Sequence, residues 1–124
     1  MILVDTSVWV DHLRAGNQTL ANLLNRGMVL AHPFVIGELA LGVLRQRDLV
    51  LEALSDLPQA SVATDSEVRQ FIARHQLFGR GIGYVDVHLL TTVRLTAGAA
   101  LWKQDQRLHS VAEQLRLAMM RAKR

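Results

Sequence analysis

The sequence reads Gly81-Ile82-Gly83-Tyr84-Val85-Asp86-Val87-His88-Leu89-Leu90 where a glycine-rich loop meets the start of a strongly patterned helix. Across residues 84–97, apolar side chains recur at intervals of three and four residues, which predicts an α-helix with Gly98 as its C-cap. Asp86 lies on the same face as these apolar residues. A carboxylate on an apolar face is costly unless it is paired or bound to a metal, so Asp86 is a candidate functional residue.

Strand patterns and helix patterns alternate on both sides of this segment. The predicted strands cover about residues 2–4, 28–31, 60–63, 99–102 and 117–120, and the predicted helices about 7–14, 18–25, 33–44, 47–54, 64–76, 84–97 and 105–115. Such alternation is typical of a parallel sheet with helices on both faces. We therefore predict an α/β fold with a central, mostly parallel sheet of about five strands. In such sheets, ligands bind beyond the carboxyl ends of the strands.

Length and composition limit the class of protein. A chain of 124 residues favours a single domain over residues 1–124, in which we expect the basic tail at residues 121–124 to be frayed. The absence of cysteine excludes a disulfide scaffold, thiol catalysis and zinc sites built from thiolates, and it fits a cytoplasmic location. We expect neither a membrane anchor nor an export signal, because no apolar stretch is long enough and no basic segment precedes the first one.

Four acids stand where the predicted topology places a ligand site. Asp5 closes the first strand, and Glu38 lies in the helix after the second. Asp86 begins the long helix, and Asp105 follows the fourth strand. Carboxylates at one edge of a sheet repel each other, and a divalent cation that prefers oxygen ligands, Mg²⁺ or Mn²⁺, relieves this repulsion. A metal held in this way suits phosphodiester hydrolysis.

Structural roles for the same acids stay open at this point. Asp5 and Asp105 both occupy positions typical of helix N-caps. Asp86 is also the kind of first-turn acid that the helix dipole favours. Glu38 is harder to explain structurally, because apolar residues surround it in the sequence.

The charge balance favours a polyanionic partner. The chain has 14 Lys and Arg against 11 Asp and Glu, a net charge of +3, and twelve of the cations are Arg. Without the four candidate acids, seven acids oppose 14 cations and the remainder carries +7. Such a surface attracts nucleic acid, although a solvated basic surface without a partner has the same composition.

Several segments together carry a family resemblance. They are Asp5-Thr6-Ser7 after a terminal apolar strand, Pro33 five residues before Glu38, the segment from Gly81 to Leu90, and Leu101-Trp102-Lys103-Gln104-Asp105-Gln106-Arg107-Leu108. The chain resembles a PIN domain over essentially its whole length, and within that family it resembles the VapC toxins of type II toxin–antitoxin systems. The Gly-x-Gly-x-x-Asp segment before an apolar helix is the most specific part of this resemblance.

The resemblance implies a fold, an activity and a set of partners. The fold would be a three-layer α/β/α sandwich. The activity would be that of an endoribonuclease dependent on Mg²⁺ or Mn²⁺. The protein would form a homodimer and would be inhibited by a small cognate antitoxin.

The resemblance also assigns residues. It implies that Asp5, Glu38, Asp86 and Asp105 are the catalytic, metal-binding acids. Ser7 corresponds to a small hydroxyl residue near the site. Many relatives have Thr or Ser two residues before the fourth acid, whereas this chain has Lys103, which could contact the scissile phosphate, pair with Asp105 or point to solvent.

Other functions compete with this interpretation. A PIN-like nuclease acting on structured DNA or on precursor RNA would use the same acids. A non-catalytic RNA-binding module is a further alternative, which Lys103 leaves open. A phosphoacceptor domain wants paired acids after the first strand, and a haloacid-dehalogenase-type phosphatase wants Asp-x-Asp, whereas Asp5 is followed by Thr6 and Ser7.

Overall fold

A computed structural model describes residues 1–119, in which the chain forms three strands and seven helices. The strands are β1 (Ile2–Val4), β2 (Val29–Leu30) and β3 (Ala100–Trp102). The helices are α1 (Thr6–Ala15), α2 (Gln18–Asn25), α3 (Pro33–Leu41), α4 (Arg47–Asp56), α5 (Asp65–His75), α6 (Tyr84–Leu95) and α7 (Gln106–Gln114). The predicted frayed tail at residues 121–124 lies outside the described part.

The three strands form one parallel sheet in the order β2-β1-β3. Leu3 and Val4 are adjacent in β1, and both are fully buried. Because successive residues of a strand point to opposite faces, both faces of the sheet are covered. The predicted α/β fold with a parallel sheet is therefore confirmed.

The prediction of about five strands is wrong for residues 1–119, which contain three. The predicted third strand at 60–63 is reduced to one parallel bridge between Gln59 and Ala31. Pro58 has no N–H to donate to a ladder, and the N–H of Ala63 donates to Thr92 Oγ1 (3.2 Å) instead of to a strand. The segment therefore leaves the sheet at once and leads into α5.

The predicted fifth strand at 117–120 is also a single parallel bridge, between Ala118 and Leu101. The N–H groups of Leu117 and Ala118 both donate to the carbonyl oxygen of Ala112, at 2.7 and 3.2 Å, and so terminate α7. Only the N–H of Met119 donates to the sheet, to Leu101 O at 2.8 Å. The last predicted position, Met120, lies beyond the described residues.

Capping side chains fix where the helices around the sheet begin. Asp5 caps α1, His32 caps α3, and Asp105 caps α7. Pro33 occupies the first turn of α3, where its missing N–H costs nothing. Each cap directly follows a strand or lies a few residues beyond it, so the helix starts gather at the carboxyl edge of the sheet.

The core lies on both faces of the sheet and continues into α6, which is buried along most of its length. It joins the first strand to elements near the other end of the described chain, including Leu101 and Leu108. Within residues 1–119, no helix is long and apolar enough to cross a membrane.

Candidate active site

Asp5 stands at the carboxyl end of the central strand and is 3% exposed. Its N–H donates to Trp102 O of β3 (3.1 Å), which anchors its backbone to the sheet. Its carboxylate oxygen Oδ2 accepts the N–H of Ser7 at 3.3 Å and the hydroxyl of Ser7 at 3.2 Å. Asp5 therefore caps α1 and also presents a buried carboxylate at the predicted ligand edge.

Lys103 joins Asp5 to Asp86. Its ammonium nitrogen lies 3.0 Å from Asp5 Oδ2 and 2.9 Å from Asp86 Oδ1. Lys103 follows directly after β3, and Asp86 lies in the first turn of α6. Three separate elements thus bring two carboxylates onto one nitrogen, and we call Asp5 and Asp86 the acid pair.

Opposing effects act on the Lys103 ammonium. Burial is the largest single effect and lowers the pKa of Lys103, but the hydrogen bonds to Asp86 and Asp5 and their charges together outweigh it and raise that pKa above its usual value. Lys103 is therefore charged at neutral pH. Of the three roles left open for Lys103, the structure shows pairing, with Asp5 and Asp86 rather than with Asp105.

Glu38 lies beside this arrangement on α3. Its Oε1 accepts the hydroxyl of Thr6 at 2.7 Å, and Thr6 is the residue after Asp5. The side chain is exposed, so its carboxylate is not buried among the apolar residues that surround it in the sequence. Helix α3 is apolar nearly all round, and Leu41, one turn further on, is 90% exposed.

Asp105 caps α7. Its Oδ1 accepts the N–H groups of Arg107 (2.9 Å) and Leu108 (3.2 Å). The N–H of Leu108 is the main cause that lowers the pKa of Asp105, and the nearby charge of Lys103 contributes. Asp105 therefore lies within the electrostatic reach of Lys103 and has the structural role of a helix cap that was considered from the sequence.

The glycine loop before α6 allows a side chain of α7 to approach its backbone closely. Gly81 has a φ of +73°, and a Cβ built there would lie 2.9 Å from Arg107 Nη1. A side chain at this position would therefore be strained and would move the Arg107 guanidinium. The loop brings a cation from α7 against the segment that leads to Asp86.

The predicted quartet is not assembled as one ion site. Within residues 1–119, no three His, Asp or Glu side chains lie close enough to share a metal ion. The structure brings together Asp5, Asp86, Ser7 and Lys103, while Glu38 bonds to Thr6 and Asp105 bonds to the start of α7.

Comparison with known proteins identifies the fold family. The model of the PIN domain family matches residues 2–114. The chain belongs to the PIN domain family. Ribonuclease VapC32 of Mycobacterium tuberculosis, strain CDC 1551 / Oshkosh, is 48% identical over 119 residues, which are 96% of this chain and 96% of that protein. Ribonuclease VapC32 of strain ATCC 25618 / H37Rv matches with the same identity and coverage.

The predicted relationship to PIN domains and to VapC proteins is therefore confirmed. The interpretations as a phosphoacceptor domain or a dehalogenase-type phosphatase are set aside, because each belongs to a different fold family. In this PIN domain, the acid pair also fits a divalent cation in its chemistry. Its two carboxylates already converge on one positive charge, and carboxylate oxygens are the ligands that Mg²⁺ and Mn²⁺ prefer.

Sequence reasoning missed two residues of this PIN domain. Thr6 was quoted only as part of a motif, yet its hydroxyl ties Glu38 to the residue after Asp5. Arg107 was also passed over, although it lies against Gly81. The available signal was positional: both follow a site acid by one or two residues, where the start of a helix directs side chains toward the same edge.

Proposed function

We propose that this PIN domain is an endoribonuclease toxin of a VapBC-type toxin–antitoxin system, which hydrolyses RNA phosphodiester bonds with Mg²⁺ or Mn²⁺. The observation that carries the proposal is the convergence of Asp5 and Asp86 on one cationic nitrogen, at 3.0 and 2.9 Å, at the ligand edge of the sheet. Its similarity to proteins named as VapC ribonucleases supports the reaction class. We also propose that residues 1–124 form a single domain with a three-layer α/β/α sandwich fold.

The acid pair would hold the divalent cation. When bound, that cation supplies a Lewis acid that polarises a phosphate oxygen and makes a bound water more acidic. Asp5 and Asp86 provide oxygen ligands, and Ser7 orients the Asp5 carboxylate through two hydrogen bonds. In-line attack by water leaves a 3′-hydroxyl and a 5′-phosphate, so the ribose 2′-hydroxyl is not the nucleophile.

The remaining two acids complete the proposed site from its sides. Glu38 is directed by the Thr6 hydroxyl and would hold the cation through water. Asp105 keeps the start of α7 in place and would position the attacking water. Lys103 would contact the scissile phosphate only after its ammonium leaves Asp5 or Asp86, and Arg107 provides a second cation at this edge.

An exposed apolar surface supports the proposed protein partners, a cognate antitoxin and a second copy of the chain. Leu41 and Leu49 are 90% and 63% exposed, and Val43 between them is fully exposed. Beside them lies a cavity of about 550 Å³ whose wall includes Glu38. Large exposed apolar side chains beside a cavity are typical of interaction sites. We place the protein in the cytoplasm, where RNA and an antitoxin would be available.

The test is RNA cleavage by purified protein free of antitoxin. Wild type, Asp5→Asn and Asp11→Asn are incubated with total RNA in Mg²⁺ or Mn²⁺ and in EDTA, and the product ends are mapped. Asp11 is the matched control, because it is a half-exposed acid within α1, the helix that Asp5 caps, and it pairs with Arg14. We expect cleavage by wild type and Asp11→Asn, and its loss in EDTA and in Asp5→Asn. A 2′,3′-cyclic phosphate product would contradict the proposed chemistry.

A non-catalytic RNA-binding module is the second candidate. It is favoured by Lys103, which already neutralises the acid pair, and by the lack of a three-acid group within residues 1–119. This alternative predicts that folded wild type retains RNA in a filter-binding assay but releases no fragments in either cation. The cleavage assay and the binding assay together decide between the two functions.

A further inference from the structure

Lys103 occupies the position in the acid pair that a divalent cation also needs. Its ammonium lies within 3.0 Å of one carboxylate oxygen of each acid. The side chains of Lys103, Asp5 and Asp86 are 11%, 4% and 27% exposed, so water and salt screen the ion pair with Asp5 most weakly. The chain therefore supplies its own cation to the pair.

An ammonium and a divalent cation cannot share these oxygens without cost. Both would lie a few ångströms apart in a poorly screened site, and like charges at such distances strongly disfavour each other. Within the described residues, no third Asp, Glu or His joins the acid pair closely enough to share a metal ion with it. Binding of the divalent cation therefore requires the ammonium to withdraw.

The structure offers the Lys103 side chain another place. Lys103 lines a cavity of about 400 Å³, whose wall also includes His109 and Glu113. Glu113 accepts a 3.2 Å contact from His109 and is otherwise open to solvent, so a carboxylate is present where the ammonium would go. The long flexible stem of lysine allows this movement without a change of the backbone.

We propose that Lys103 competes with the divalent cation for Asp5 and Asp86, pairing with both acids in the cation-free protein and moving into the adjacent cavity when the cation binds. The inference rests on the proposed function and adds to it a residue that sets cation affinity. It predicts that removal of the Lys103 charge weakens the cation-free fold and strengthens cation binding at the same time. A merely structural role for Lys103 would produce only the first effect.

The experiment measures Mn²⁺ affinity by isothermal titration calorimetry on the full chain after removal of metal by EDTA. Wild type is compared with Lys103→Met, an unbranched neutral side chain one atom shorter than lysine. Lys103→Gln is a second neutral variant, and Lys103→Arg keeps the charge. The double variant Lys103→Met/Asp5→Asn shows whether added affinity belongs to the acid pair. Thermal unfolding of each protein in EDTA and in Mn²⁺ gives an independent readout.

A neighbouring unit charge changes the affinity of such a site for a cation by roughly 10- to 1000-fold. We therefore expect the neutral variants to bind Mn²⁺ at least about tenfold more tightly than wild type, and Lys103→Arg to bind like wild type. In EDTA, the neutral variants should unfold at a lower temperature, and Mn²⁺ should raise that temperature more than in wild type. The double variant should lose the gain in affinity.

Equal or weaker Mn²⁺ binding by both neutral variants, or a gain that survives Asp5→Asn, would overturn the inference. The proposed function has a separate readout, because RNA cleavage by wild type is scored in the same preparations. If wild type cleaves RNA with metal but the residue 103 variants bind Mn²⁺ as wild type does, the inference is refuted and the proposed function stands. Tighter Mn²⁺ binding by the neutral variants without any cleavage by wild type refutes the nuclease and leaves the competition standing.

Discussion

Acidification is expected to destabilise this protein through His32. The residue is fully buried, and it caps α3, the helix that carries Glu38. Its Nδ1 accepts the N–H of Phe34 at 3.0 Å, so the neutral ring carries its proton on Nε2, which faces Thr92 Oγ1 at 3.5 Å. Protonation would place a second N–H against the Phe34 donor and a charge at the positive end of a helix.

The size of the effect follows from the pKa of His32. Burial, and then the charge of His88, lower this pKa from 6.5 to about 4. Above pH 6.5 the ring is neutral in both states, and the full stability is present. Between these two values only the unfolded chain takes up the proton, so the contribution of His32 to stability falls as the pH falls. That contribution is fully lost below the pKa of the folded state. The difference corresponds to about 3 kcal/mol of unfolding free energy.

The assay is urea unfolding of wild type and His32→Asn between neutral pH and about pH 4. Asn is a favoured N-cap that does not titrate in this range, so the variant keeps an acceptor for the N–H of Phe34. The substitution lowers the free energy of unfolding by an amount that does not depend on pH. Acids that titrate in both proteins cancel in the comparison. Between neutral pH and about pH 4, we expect the unfolding free energy of wild type to fall by about 3 kcal/mol more than that of His32→Asn. Parallel pH profiles would refute the assignment of a neutral, capping His32.

Two further substitutions test how the site is held. Gly79→Ala and Gly81→Ala each place a side chain at a φ near +74°, which costs about 1 kcal/mol in backbone strain. Only the Cβ at position 81 would contact Arg107. In urea unfolding the two variants should therefore lose the same amount of stability, whereas the rate of RNA cleavage should fall further in Gly81→Ala. Equal rates of cleavage would argue against a role for the Arg107 guanidinium. Thr6→Val removes the donor to Glu38, and the loss of one hydrogen bond predicts about fivefold slower cleavage with nearly unchanged stability. An unchanged rate would show that Glu38 needs no positioning.

The sequence predicted the local features of the fold well, because they depend on neighbouring residues. The caps at Asp5 and Asp105 and the position of Asp86 in the first turn of its helix follow from short motifs. For Asp5, the role of a cap does not exclude a place in the candidate site. The same oxygen, Oδ2, accepts from Ser7 and pairs with Lys103.

The errors concern features that depend on distant parts of the chain. The short segments after Pro58 and after α7 each form one isolated bridge to the sheet. The N–H of Ala63 then bonds to Thr92, and those of Leu117 and Ala118 bond to the end of α7. An apolar pattern alone does not reveal such partners. The partner of Lys103 was likewise undetermined, because it depends on which strand lies beside β1 and in which register.

Strand order and register explain why the candidate site forms at all. The first strand lies in the middle of the sheet, and Val4 pairs with Trp102 of β3. The next residues, Asp5 and Lys103, therefore leave the sheet side by side, with the N–H of Asp5 still bonded to Trp102 O. A one-residue slip of β3 would send the side chain that follows it to the other face. Because the contact between Asp5 and Lys103 joins the beginning of the chain to the residue after β3, the candidate site forms only when the whole sheet is assembled.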